Sequence, residues 1–231
     1  MPENQSDEKK DLLKTLGADL RLVKAVPYKD PKNYIKQSEF LANSLKASTS
    51  QGVVWANQFD NLANKMIHFK TTGPEIWEQT LGEIDGFICA VGSGGTLSGT
   101  GEFLKSKKSK LIIGIADPEG SGLYNYYKNN LMKSDGNSIS EGIGQGRITK
   151  NLEGFIPDIS FKIEDKEALP NIQKLMIEEG LYLGGSSAIN VTGAIKMAEI
   201  LGPGHTICTI LCDSGQRYQS KIWNPNFLKK K

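Results

Sequence analysis

Apolar residues recur along this chain with two different periods, and the two periods alternate. Leu12, Leu13 and Leu16 gather on one face of Ser6–Leu16, with Ser6 placed to cap and Gly17 to close, which predicts a helix. Pro31–Leu45 repeats that period behind a proline suited to a first helical turn. Gly73–Gly82, Thr96 to about Lys107, the run DKEALPNIQKLMIEEG and the stretch after Ser187 read the same way. Between them lie strand-like runs: Asp19–Val26 by alternation, then Gly52–Phe59, Ile84–Gly92, Lys110–Asp117, Ile159–Ile163 and Thr206–Asp213 by apolar clustering. Strand followed by helix, repeated, implies right-handed crossovers and a mainly parallel sheet with helices on both faces, an α/β chain. A lobe boundary is expected near Asn61–Met66, separating a small lobe at 1–62 from a large lobe at 63–231. The terminal LKKK is expected to be a solvated tail.

One junction breaks the alternation. In ICAVGSGGTLSGTGEFL, Ile88–Leu104, a strand pattern dissolves into four small residues and a threonine before helical spacing resumes. Glycine costs conformational entropy on folding, so a cluster of it needs a compensating role. Strand, GSGGT, helix is the geometry of an anion cradle, in which converging backbone N–H groups meet the positive end of a helix. Tight strand-to-helix packing alone also uses glycine. The pattern is neither a P-loop, lacking Gly-Lys-Ser/Thr, nor a GxGxxG dinucleotide fingerprint.

Composition narrows the classes. Lys plus Arg number 28 against 26 Asp plus Glu, a net charge of +2, and only Arg21, Arg147 and Arg217 are arginines. A reader of nucleic-acid phosphates is not expected on that balance. Cys89, Cys208 and Cys212 lack CxxC spacing and two lie in apolar runs, which suits buried free thiols in the cytoplasm and no metal site. No apolar run has the length of a membrane span, and MPENQSDEKK reads as neither signal nor transit peptide.

Three more clusters join the glycine turn: NQFDN (57–61), EGIGQG (141–146) and GGSSAIN (184–190). In a parallel α/β sheet such loops collect at the carboxyl ends of the strands, where ligands bind. Singly, each reads more readily as a cap or a turn than as a binding loop. With TTGPEIWEQT, GSGGTLSGTG, ADPEGS, GGSSAINVTGAIKMA and LCDSGQRYQSKIWNP, in this order, the chain resembles the pyridoxal-phosphate-dependent cysteine synthase family, the O-acetylserine sulfhydrylases, with cystathionine β-synthase a relative. The resemblance implies a two-lobed fold type II enzyme of cysteine biosynthesis, replacing the acetate of O-acetylserine by sulfide.

It further implies that Gly92, Ser93, Gly94, Gly95 and Thr96 hold the cofactor phosphate, Ser186 faces the pyridine nitrogen, Gly142 lies beside the ring and Gln58 contacts the substrate carboxylate. Two family elements have no counterpart in these residues: the Schiff-base lysine and a Ser/Thr-Gly-Asn-Thr loop. The chain is therefore expected to be an amino-terminally truncated or split form, weak in pyridoxal 5′-phosphate binding and inactive without a companion polypeptide. A homodimer is a family expectation. The alternative is a non-catalytic binding protein retaining part of the family's surface for serine acetyltransferase. Ser93 stands where the family often has threonine, Leu62 where it has proline and Ala188 where it has glycine, the last a concern if that position needs a positive φ. His68 belongs to the family pattern and reads as structural.

Overall fold

The computed structural model describes residues 1–229; the last two residues of the expected tail lie outside them. The chain divides into two compact units, Phe59–Gln216 and a unit formed by Met1–Gln58 with the segment from Arg217 onward. The expected division at 62/63 differs from these units chiefly in the carboxyl-terminal segment.

In the unit that holds the termini, α1 (Asp7–Thr15), α2 (Tyr34–Ser48) and α9 (Pro225–Leu228) are the helices. Ser6 precedes α1 without capping it; its Oγ donates instead to the Arg217 carbonyl at 2.6 Å. The Glu8 carboxylate accepts from the Ser220 amide at 2.6 Å and hydroxyl at 2.8 Å, and Lys9 lies 4.2 Å over the Tyr218 ring. These contacts fasten the carboxyl-terminal segment to α1. Neither strand expected here forms. Asp19–Val26 makes one isolated bridge, Val23 to Pro2, and Gly52–Phe59 is irregular. A strand exists through its ladder, and alternation without a partner strand leaves an extended segment.

The Phe59–Gln216 unit is the α/β body. Its helices are α3 (Ala63–Lys70), α4 (Thr72–Gln79), α5 (Gly95–Lys107), α6 (Leu123–Asn129), α7 (Asp165–Glu179) and α8 (Gly185–Leu201), with a 3₁₀ turn at Lys150–Leu152. Its strands β1 (Ile84–Cys89), β2 (Ile112–Pro118), β3 (Ile159–Ile163) and β4 (Thr206–Thr209) form one parallel sheet in the order β3-β2-β1-β4. The central strands β1 and β2 are buried on both faces, which is why they read as apolar runs rather than alternating ones, while β3 and β4 at the sides are half-buried.

The two faces pack differently. On one, Phe87 and Cys89 join Leu97, Leu104, Ile113 and Ile115 in a buried core under α5. On the other, α8 lies close because Gly86 and Gly114 leave notches filled by Met197; a methyl at either would sit 2.6 Å from that side chain. Met197 is fully buried. Ala188 falls inside α8 with ordinary helical backbone, so the departure from glycine introduces no strain. Leu62 precedes α3 with φ −64°, a value proline also adopts.

Candidate active site at the carboxyl ends of the strands

The loop after β1 is built by its neighbours. The Val91 carbonyl accepts from the Gly144 amide at 2.8 Å, and Thr149 Oγ1 donates to the Ser93 carbonyl at 2.7 Å. Gly92 is pressed against the second glycine loop: a Cβ there would lie 2.5 Å from the Gly142 carbonyl oxygen. Gly94 has φ +92°, a conformation glycine reaches at no steric cost, and turns the chain into α5. The amides of that helix's first turn have no intrahelical acceptors and carry its partial positive charge. Ser93 and Thr96 add two hydroxyls. No carboxylate occurs in Gly92–Thr96. Backbone amides with two hydroxyls able to donate, and no carboxylate, suit an anion.

The second glycine loop is anchored by an ion pair from the residue that follows it to the NQFDN cluster. Arg147 forks onto Asp60, Nη1 to Oδ1 at 2.9 Å and Nη2 to Oδ2 at 2.8 Å, and the Lys150 amide donates to the same carboxylate at 3.0 Å. The hydrogen bonds from Arg147 hold the Asp60 carboxyl below its usual range. Asn151, fully buried, caps α3 from the side, accepting from the Lys65 amide at 3.2 Å and donating to the Phe59 carbonyl at 2.8 Å.

Ser186 stands at the start of α8, 5% exposed. The Gly184 amide donates to the Asp213 carbonyl at 2.9 Å, and the Cys212 amide to Ser187 Oγ at 2.9 Å, so this helix start is tied to the chain leaving β4. Gly185 faces Ser140 just before the EGIGQG loop. Asn190, one turn into α8, joins the strand ends: Oδ1 accepts from the Ala90 amide at 2.6 Å, and Nδ2 donates to the Ile210 carbonyl at 2.7 Å and to Cys212 Sγ at 3.4 Å. The starts of α5 and α8 thus lie at the carboxyl ends of the adjacent strands β1 and β4, on one edge of the sheet. That is where open parallel sheets bind ligands.

At the end of β2 on the same edge, Asp117 is fully buried. Its Oδ2 accepts from the Tyr124 amide at 2.7 Å, and its Oδ1 has no hydrogen-bond partner among the described residues. Burial pushes its carboxyl up to about 6. Burial lowers the His68 pKa and raises that of the Cys89 thiol.

Of the residues singled out in the sequence, Gly92, Ser93, Gly94, Gly95, Thr96, Gly142 and Ser186 all lie in the α/β unit, on its loop edge. Gln58 ends the other unit, as an exposed turn residue. Sequence reasoning passed over Asp60, Asn64, Arg147, Asn151 and Asn190. The available signal was modest: Asp60 inside NQFDN, and Arg147 as one of three arginines directly after EGIGQG.

The family model described as "Pyridoxal-phosphate dependent enzyme" matches residues 1–213. The chain is 44% identical over 236 residues to cysteine synthase 1 of Neurospora crassa, covering 100% of this chain and 61% of that protein. To cysteine synthase A of Escherichia coli it is 39% identical over 223 residues, covering 95% of this chain and 67% of that protein. A crystal structure of O-acetylserine dependent cystathionine beta-synthase from Helicobacter pylori superposes with a TM-score of 0.81 at 31% identity, covering 96% of this chain and 68% of that one. The chain spans 61% and 62% of the length of its first two fungal cysteine synthase relatives.

Proposed function

Because this chain belongs to the pyridoxal-phosphate dependent enzymes, a family match that runs over residues 1–213, we propose that its α/β unit is the cofactor-holding part of a cysteine synthase. The reaction is replacement of the acetate of O-acetylserine by sulfide. One observation carries the proposal: the neutral donor cradle of Gly92–Thr96, closed by the Gly142 loop, shares one sheet edge with Ser186. In this reading the first-turn amides of α5, with the Ser93 and Thr96 hydroxyls, bind the phosphate of pyridoxal 5′-phosphate. Gly142 leaves room beside the ring, and Ser186 meets the pyridine nitrogen.

The cofactor, when bound, supplies an electron sink for the substrate's α-carbon. Ser186 sets how strong that sink is. A neutral hydroxyl there would not hold a proton on the ring nitrogen as a carboxylate would, a setting suited to loss of a β-substituent rather than transamination. Gln58 is proposed to orient the substrate carboxylate. The chain alone is proposed to bind cofactor without turnover, on the reading that none of its lysines is the one that anchors the cofactor covalently. Residence in the cytoplasm fits three cysteines free of disulfides, and a homodimer completes the proposal.

The test is to titrate the purified chain with pyridoxal 5′-phosphate, reduce with borohydride, digest and locate any modified lysine by mass spectrometry. Sulfide and O-acetylserine are then supplied and cysteine is measured. The expected result is saturable binding, no single modified lysine and no cysteine. Cysteine formed by the chain alone, or one defined lysine adduct, would overturn the inactive reading; absence of binding would overturn the cofactor site.

A further inference from the structure

Helix α3 contributes nothing to the loop after β1 in sequence, yet it grips both of that loop's hydroxyls. Asn64 and His68 are four residues apart, hence on one helical face. Asn64 Nδ2 donates to Ser93 Oγ at 2.8 Å. His68 Nε2 lies 3.1 Å from Thr96 Oγ1, and its Nδ1 lies 2.9 Å from Thr72 Oγ1 at the start of α4. The approach is close because α5 has glycine where α3 crosses it. A Cβ on Gly95 would sit 2.2 Å from Asn64 Oδ1, and one on Gly99 2.2 Å from the Lys65 carbonyl oxygen.

The direction of these hydrogen bonds matters more than their number. A hydroxyl has one proton and two lone pairs. Asn64 fills a lone pair of Ser93, so the Ser93 proton is not spent on Asn64 and is available to a ligand. A neutral imidazole donates from one nitrogen and accepts at the other. If Thr72 donates to Nδ1, His68 donates from Nε2 to Thr96, whose proton is released in the same way. The opposite tautomer would consume the Thr96 proton and present a lone pair to the cradle. Partial burial lowers the His68 pKa, favouring the neutral ring for which this choice matters.

Resting on the cofactor site proposed above, we infer that α3 is a polarity clamp: Asn64 and His68 act as positioning residues that turn the Ser93 and Thr96 hydroxyls into donors toward the bound phosphate. The clamp makes the cradle selective for a phosphorylated ligand over its unphosphorylated form. Asn61 and Asn151 serve it indirectly by fixing where α3 begins, Asn61 Oδ1 accepting from the Ala63 amide at 3.0 Å and Asn151 Oδ1 from the Lys65 amide at 3.2 Å.

Two measurements on the full chain test this. Nitrogen-15 chemical shifts of the His68 ring report its tautomer without any ligand; with only His68 and His205 in the chain, a His205→Gln variant assigns the signals. The clamp requires the proton on Nε2, and a proton on Nδ1 overturns it. The second is a double-mutant cycle of Asn64→Ala and Ser93→Ala, read by calorimetric affinity for pyridoxine 5′-phosphate, which has no aldehyde, against pyridoxine. Each single variant is expected to lose about three- to tenfold for the phosphorylated probe and little for pyridoxine, with the double variant no worse than Ser93→Ala. Additive losses, or equal losses for both probes, overturn the clamp. If the unaltered chain fails to prefer the phosphorylated probe, the phosphate reading falls, whereas a preference retained beside a proton on Nδ1 removes the clamp alone.

Discussion

Replacing Asp117 by asparagine should abolish a specific pH dependence of stability. The carboxyl is fully buried at the end of β2, with one oxygen bonded to the Tyr124 amide at 2.7 Å and the other unpartnered among the described residues. Burial disfavours the anion, raising the pKa from 3.8 to about 6. The folded state therefore holds this proton more tightly than the unfolded chain. Below about pH 4 both states are protonated and ionisation costs nothing. Between about 4 and 6 the unfolded state releases its proton while the folded state keeps it, and stability falls by roughly 1.4 kcal/mol per pH unit. Above that window the loss levels off at about 3 kcal/mol, from a pKa of 3.8 raised to about 6. Asparagine keeps the acceptor for Tyr124 and cannot ionise. Its amide adds a buried donor whose cost, about 1–3 kcal/mol if unpaired, does not vary with pH.

The diagnostic is accordingly the difference between the two proteins as pH changes, in which every other titrating group cancels. Urea unfolding followed by circular dichroism at half-unit steps from pH 4 to 7.5 measures it. Asp117→Asn should gain about 2.4 kcal/mol on wild type across that range, whatever its offset at pH 4, the rest of the full effect lying below pH 4. Parallel curves would refute the reasoning, showing that Asp117 ionises as freely in the folded state as in the unfolded one.

Met197→Ala should destabilise by about 2–5 kcal/mol, because its fully buried side chain fills the notches over both Gly86 and Gly114; unfolding in urea measures this. Asn190→Ala removes the side chain joining Ala90 to Ile210, and a loss of about 2–4 kcal/mol in the same assay is expected as two backbone groups at the strand ends lose partners. Iodoacetamide labelling of the native chain, read by mass spectrometry, should modify exposed Cys212 first and buried Cys89 only after unfolding.

Much of the α/β unit was legible from short-range pattern. Ile159–Ile163 was read with its observed bounds, and β1, α5, β2 and α7 within a few residues. Each is a continuous apolar run or a helical period punctuated by glycine, and those signals are local. Helix α3 escaped because ANKMIHFK offers no clear apolar stripe: Met66 and Ile67 are exposed, and beside the Phe69–Phe103 ring contact it is held by polar contacts, Asn64 to Ser93 and His68 to Thr96 and Thr72. The strands expected at Asp19–Val26 and Gly52–Phe59 failed for the converse reason, since strand-like spacing does not supply a partner. Spacing picked out the glycine turn and the loop clusters of the candidate site, while the roles of Ser186 and Gly142 came from the family resemblance. The side chains that hold them could not be picked out, because Asp60 meets Arg147 across 87 positions and Asn190 meets Ala90 across 100.

The central claim is that the loop after β1 binds the phosphate of pyridoxal 5′-phosphate. Backbone amide chemical shifts of the isotopically labelled chain, followed while pyridoxal 5′-phosphate is added, test it residue by residue. The account predicts that Ser93, Gly94, Gly95 and Thr96 shift most, with Gly142 and Ser186 following, and that added pyridoxal without its phosphate leaves the first four unmoved. Saturating shifts confined to other residues, with Gly92–Thr96 unchanged, would contradict it.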